Sequence, residues 1–169
     1  MTAVEPSFRR RRAAGWLQAV LRVPRFLYGG PIAEIMRARC VLLLTTRGRR
    51  SGLPRTRAVS FMPVNNHYVV FSGWGVGSNW YRNVLANPRV TIKVGRTAMR
   101  ATARVVEDPS RRVALMRQMQ ARSAGCGPPK SIRPLLKLTG VFDYQGEIDM
   151  AVAAGATLPV VELVPEGVA

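Results

Sequence analysis

Between Val41 and Phe61 an apolar run, Val41-Leu42-Leu43-Leu44, stops at Thr45 and Thr46. The chain then turns through Gly48 and Gly52 and leaves by Pro54 into a second segment in which Arg55 and Arg57 alternate with Thr56 and Ala58. Such an order commits it to strand, turn, strand. Gly48 and Gly52 permit backbone conformations that aim several N–H groups at one point. Arg47, Arg49, Arg50 and Ser51 add side-chain donors suited to a phosphate or carboxylate, arginine in the bidentate mode. A phosphate-binding P-loop is excluded, because three residues rather than four separate the glycines and Leu53, not a lysine, follows the second. A dinucleotide fingerprint is also excluded, because Pro54 and the period of two predict an extended exit and not a helix.

The charge distribution sharpens this reading. Lysine and arginine number 26 against 9 aspartates and glutamates, a formal net charge of +17, and no acidic residue falls between Glu34 and Glu107. The cations of that interval lack local carboxylates, which implies an acidic ligand, nucleic acid or an anionic membrane surface. Aromatic residues are 7% of the chain and no nucleic-acid motif occurs, so nucleic acid is not the expected partner. His67 is the only histidine, and Cys40 and Cys126 are isolated in sequence, so neither a metal site nor a Cys-His pair is expected. Two isolated cysteines fit a reducing cytoplasm and do not suggest a disulfide scaffold. Carboxylate pairs would have to come from late or flanking segments. The chemistry of an enzyme of this composition therefore falls to a bound cofactor.

The rest of the chain supplies the remaining strands. Residues 1–12 end in four arginines. From Ala13 to Val23, Trp16 with Val20 and Leu17 with Leu21 share a helix face, which could lie on a membrane surface or pack on its own domain. Ile32, Ile35 and Met36 predict a second short helix. Tyr68 to Phe71 is a third strand after the turn signal Asn65-Asn66, and Ser78 or Asn79 caps a helix through Leu85 that stops at Asn87-Pro88. Val90, Ile92 and Val94, then Ala101, Ala103 and Val105, alternate with polar residues on either side of Gly95, a clear hairpin. Asp108-Pro109 opens a further helix, and Leu158 to Val164 reads as the last strand. The expected architecture is a small α+β barrel over residues 39–166, preceded by a basic arm and amphipathic helices over 1–38.

Thr45-Thr46-Arg47-Gly48-Arg49-Arg50-Ser51-Gly52 with Pro54-Arg55, followed by Trp80, Tyr81, Asn83 and Ala86-Asn87-Pro88, resembles the deazaflavin-dependent nitroreductase and quinone-reductase family of the split β-barrel flavin-binding superfamily. The resemblance covers roughly Val41 to Val106. It implies coenzyme F420 in reduced form as hydride donor to a hydrophobic acceptor, a quinone or nitroaromatic, with FMN as the alternative cofactor. It also implies that Arg49, Arg50, Ser51, Gly52, Leu53 and Pro54 hold the phosphate, and that Arg55, Thr56 and Arg57 lead under the ring system. By the same resemblance Phe71, Ser72 and Gly73 line the deazaflavin, and Trp80, Tyr81 and Asn83 close the site, although Trp80 and Tyr81 could equally pack helix against barrel. Ser60 stands where the family often has a tyrosine near the acceptor, and Tyr144, with Phe142, is the candidate late aromatic. These make Ser60 and Tyr144 the candidate catalytic residues. The lysine that family members often carry after the Ser72 position is missing. The other function to weigh is a split barrel that holds flavin, haem or fatty acid without turnover. A cytoplasmic enzyme, peripheral at the membrane through its N-terminal helix, completes the expectation.

Overall fold

A computed structural model describes residues 30–73, 75–122, 126, 152 and 157–167. The expected N-terminal helix, the Trp74 loop, Phe142 and Tyr144 lie outside these residues.

Six strands close into an antiparallel barrel in the order β1-β2-β3-β6-β5-β4, with β4 returning to β1. They are β1 (Val41–Arg47), β2 (Pro54–Val64), β3 (His67–Phe71), β4 (Arg89–Val94), β5 (Thr97–Val105) and β6 (Val160–Pro165). Closure leaves no unpaired edge, so the barrel's backbone donors and acceptors find partners in neighbouring strands. The period of two decides what goes inside. Leu42 and Leu44 of β1, Val59 and Phe61 of β2, Ile92 of β4 and Val161 and Leu163 pack into one core. Phe61 meets Tyr68 edge-on with ring centroids 5.5 Å apart.

Among the described residues three α-helices flank the barrel: α1 (Gly30–Ala38), α2 (Asn79–Ala86) and α3 (Pro109–Arg122). α3 starts where the Asp108 carboxylate accepts from the N–H of Ser110 at 2.9 Å, the local bond that Asp-Pro predicts. It covers an outer patch of the barrel, where Leu115, Met116 and Met119 pack with Met62, Val69, Val106 and Val160. Within α1 the buried residue is Ala33, while Ile35 is 58% exposed and faces away. Among the described residues no helix is long and apolar enough to cross a membrane.

Two expectations are corrected. Cys40 and Cys126 are not isolated in the fold: they form a disulfide across 86 residues of sequence, with Cα atoms 5.2 Å apart. The arginines between Glu34 and Glu107 are not all without a carboxylate, because Glu34 pairs with Arg37 at 2.8 Å one helical turn away. That carboxylate also accepts from the N–H of Arg96 in the β4–β5 turn at 3.2 Å.

Candidate coenzyme site

The inward face of β1 and β2 runs past the end of the hydrophobic core. Leu42 and Leu44 are followed on that face by Thr46, and Phe61 and Val59 are preceded on it by Arg57 and Arg55. The barrel therefore ends in polar side chains, and here a cleft of about 330 Å³ opens. The β1–β2 turn contributes Gly48, Arg49, Arg50 and Ser51 to it, and α2 contributes Asn79, Trp80 and Asn83.

Helical spacing explains how α2 grips the turn. Asn79 and Asn83 are four residues apart and so lie on one face. Asn83, 5% exposed, accepts from the backbone N–H of Arg49 at 3.2 Å and from its guanidinium at 3.3 Å. Its amide nitrogen donates to the hydroxyl of Thr46 at 3.1 Å. Asn79 accepts from the same Arg49 guanidinium at 3.3 Å. A single buried amide thus ties the turn to the end of β1.

The turn closes on itself through the N–H of Gly48 to the carbonyl of Leu53 at 2.8 Å and that of Gly52 to the carbonyl of Gly48 at 2.7 Å. Among the described residues the N–H groups of Arg50 and Ser51 have no protein acceptor. The two glycines serve different needs. Gly52 has φ +66, the left-handed region that a side chain disfavours. Gly48 is needed for space: a Cβ there would stand 2.8 Å from the Ser51 hydroxyl and 3.2 Å from the Leu53 carbonyl. Gly48→Ala is expected to open the turn, weakening coenzyme binding by about tenfold or more, since misplacing fixed donors by an ångström is costly. A fluorescence titration checks this, and wild-type affinity in the variant would refute the turn's role.

Of the residues singled out in the sequence, the cleft brings together Arg49, Arg50, Ser51, Arg55, Arg57, Trp80 and Asn83. Thr46, Gly48 and Asn79 join them without having been singled out as ligand contacts; the even spacing along β1 and the i, i+4 spacing of the asparagines were the available signals. Gly52 and Pro54 open instead on the opposite side of the turn. Thr56 turns outward too, its hydroxyl 2.8 Å from that of Thr45, and Leu53 is exposed. Ser60 shares the outer face of β2 with Met62, away from Arg55 and Arg57. Phe71 packs against the cluster under α3, Ser72 is fully buried and donates to the Gly75 carbonyl at 2.7 Å, and a Cβ added at Gly73 would stand 3.9 Å from the Phe71 ring. Tyr81 is buried in the barrel core against Trp80.

The cleft fits an anionic group. Among the described residues four arginines line it, with two unpartnered backbone N–H groups at its turn, and no carboxylate does. Such donors hold phosphate through charge-assisted hydrogen bonds, the guanidinium groups in the bidentate mode.

Solved structures resemble the fold. A conserved hypothetical protein of Mycobacterium tuberculosis superimposes with TM-score 0.52 at 17% identity, over 80% of this chain and 78% of its own. A structure described as an F420-H2 dependent reductase (FDR-A) gives 0.47 at 22% identity, over 74% and 94%. The heme storage protein of Vibrio cholerae gives 0.49 at 20%, over 80% and 87%. At these identities the Mycobacterium likeness concerns the barrel alone, and the other two carry no argument. The sequence itself is more specific. Residues 19–127, well over half the chain and including the whole turn, α2 and the β4–β5 hairpin, match the profile of the F420H(2)-dependent quinone reductases, and the protein belongs to that family.

Proposed function

We propose that the cleft between the 48–53 turn and α2 holds the phosphate of reduced coenzyme F420, and that its deazaflavin extends from there along Arg55, Arg57 and Trp80. The observation that carries this is the Asn83 clasp, which fixes Arg49 beside the cleft before any ligand arrives. When bound, the coenzyme supplies a hydride to an oxidised acceptor. The chain's part is to bind, orient and neutralise. Arg49, Arg50, Arg55 and Arg57 balance the phosphate, the free N–H groups of Arg50 and Ser51 aim it, and Trp80, packed on the barrel core, offers an apolar wall. No described residue lining the cleft carries a carboxyl or imidazole, so the proton that completes the reduction comes from water.

The acceptor in this reading is a quinone, with nitroaromatics as further substrates. It is met at the membrane surface, to which Arg9 to Arg12 and Trp16 in the sequence suit the N-terminal segment. Anaerobic oxidation of the reduced coenzyme, followed by recovery of the oxidised deazaflavin's absorbance on adding a short-chain quinone or a nitroaromatic, tests the activity. Flotation with anionic vesicles, comparing the full chain with one lacking residues 1–29, tests the location. Deazaflavin binding without turnover on any quinone would leave a non-catalytic binding module instead.

A further inference from the structure

The alternation that turns Thr46 inward turns Thr45 and Arg47 outward, and on that side of β1 a second, larger cleft of about 580 Å³ opens. Strand register builds it. Thr45 faces Thr91 across β1–β4, and Thr91 faces Arg100 across β4–β5. Two residues further along, Arg47 ends β1 and Arg89 begins β4. The guanidinium of Arg47 lies over Gly52, where a Cβ would stand 3.7 Å from its Nη2. The guanidinium groups of Arg47, Arg89 and Arg100 have no ion pair or hydrogen bond with another described residue. Glu166, whose N–H donates to the Arg100 carbonyl at 2.9 Å, is the one carboxylate among the described residues lining the cleft. Three guanidinium groups against one carboxylate leave a net positive recess, edged by threonine hydroxyls. The two clefts meet at Thr46, which lines both. The turn supplies Arg49 and Arg50 to the inner one and Gly52 to the outer.

We propose that the outer cleft receives the oligoglutamate tail of the coenzyme, an inference that rests on the inner cleft holding its phosphate. The tail leaves the molecule from the phosphate end and adds a carboxylate with every residue. From the inner cleft it reaches an unpaired cationic surface as soon as it crosses the end of β1. Arginine guanidinium groups and threonine hydroxyls are the donors that carboxylates take.

Deazaflavin fluorescence titrations decide the matter, using the coenzyme with several glutamates and its precursor with none. Wild-type protein is expected to prefer the tailed form by about tenfold at low salt, a preference that falls as ionic strength rises, since exposed ion pairs are individually weak and screened. In an Arg89→Gln, Arg100→Gln double variant the preference collapses, while affinity for the tail-less form, and the melting temperature, stay at wild-type values. Glu166→Gln moves the preference the other way. Equal wild-type affinity for the two forms, or a double variant that weakens both alike, overturns the tail site while leaving the inner cleft standing. Failure of the wild type to bind even the tail-less form overturns both.

Discussion

Asn83→Asp is expected to fold as a barrel and to lose about 100-fold in coenzyme affinity. Asn83→Ala is expected to do the reverse in rank, costing more stability and less binding. The Asn83 amide decides both outcomes. Its oxygen accepts from Arg49 twice and its nitrogen donates to Thr46, all at 5% exposure. Aspartate keeps the oxygen that Arg49 needs, and the Thr46 hydroxyl can rotate to donate to it. It also puts a full negative charge into a cleft whose ligand is a phosphate. Two like charges about 6 Å apart at an effective dielectric near 20 repel by roughly 2.8 kcal/mol, about two powers of ten in affinity. Alanine places no charge there but leaves the Arg49 N–H and the Thr46 hydroxyl without their partner. That costs about 1–3 kcal/mol, read as a melting temperature lower by several degrees in a domain of this size. Thermal unfolding and fluorescence titration of the two variants side by side give the ordering. If Asn83→Asp binds with wild-type affinity, the phosphate is not in this cleft.

What could be seen in the sequence depended on how local the cause was. The β4–β5 hairpin was legible because its period of two is written in consecutive residues, and Gly95 takes φ +59 at the turn where the pattern breaks. The last strand began two residues later than the apolar run suggested, at Val160, because Pro159 has no N–H to add to the ladder. The arginine turn was legible as an anion binder, but not as the wall of two clefts. Which arginine faces which side follows from register, and Arg89 and Arg100 join Arg47 only once β4 and β5 are laid beside β1. The same alternation moves Ser60 off the cleft: its two-residue offset from Met62 puts it outside the barrel. The Glu34 contacts with Arg37 and Arg96 show the limit of counting charges along a chain, since one of them spans 62 residues. Asn83 was singled out through the family resemblance as closing the site, but its clasp on Arg49 and Thr46 is known only from the structure, because a lone buried asparagine carries no pattern of its own.

The disulfide is the feature furthest from sequence reasoning and has the largest expected effect on stability. Cys40 sits between α1 and β1, and Cys126 follows α3, so the loop they close holds five of the six strands and two of the three described helices. In the chain-entropy account, cross-linking 86 residues restricts the unfolded ensemble by about 4–5 kcal/mol. Reduction is therefore expected to lower the melting temperature by roughly 10 °C. Cys126→Ser should melt at the reduced wild-type temperature with or without reductant. The native contacts of the cleft do not depend on the bridge, because Thr46, Arg49 and Asn83 are held by their own hydrogen bonds beyond the far end of β1. Coenzyme affinity measured well below the melting range should thus be the same for the oxidised and reduced protein. Coincident melting curves with and without reductant would mean that the two thiols are merely neighbours. A change in affinity without a change in melting would instead tie the bridge to the cleft and refute the separation of stability from binding.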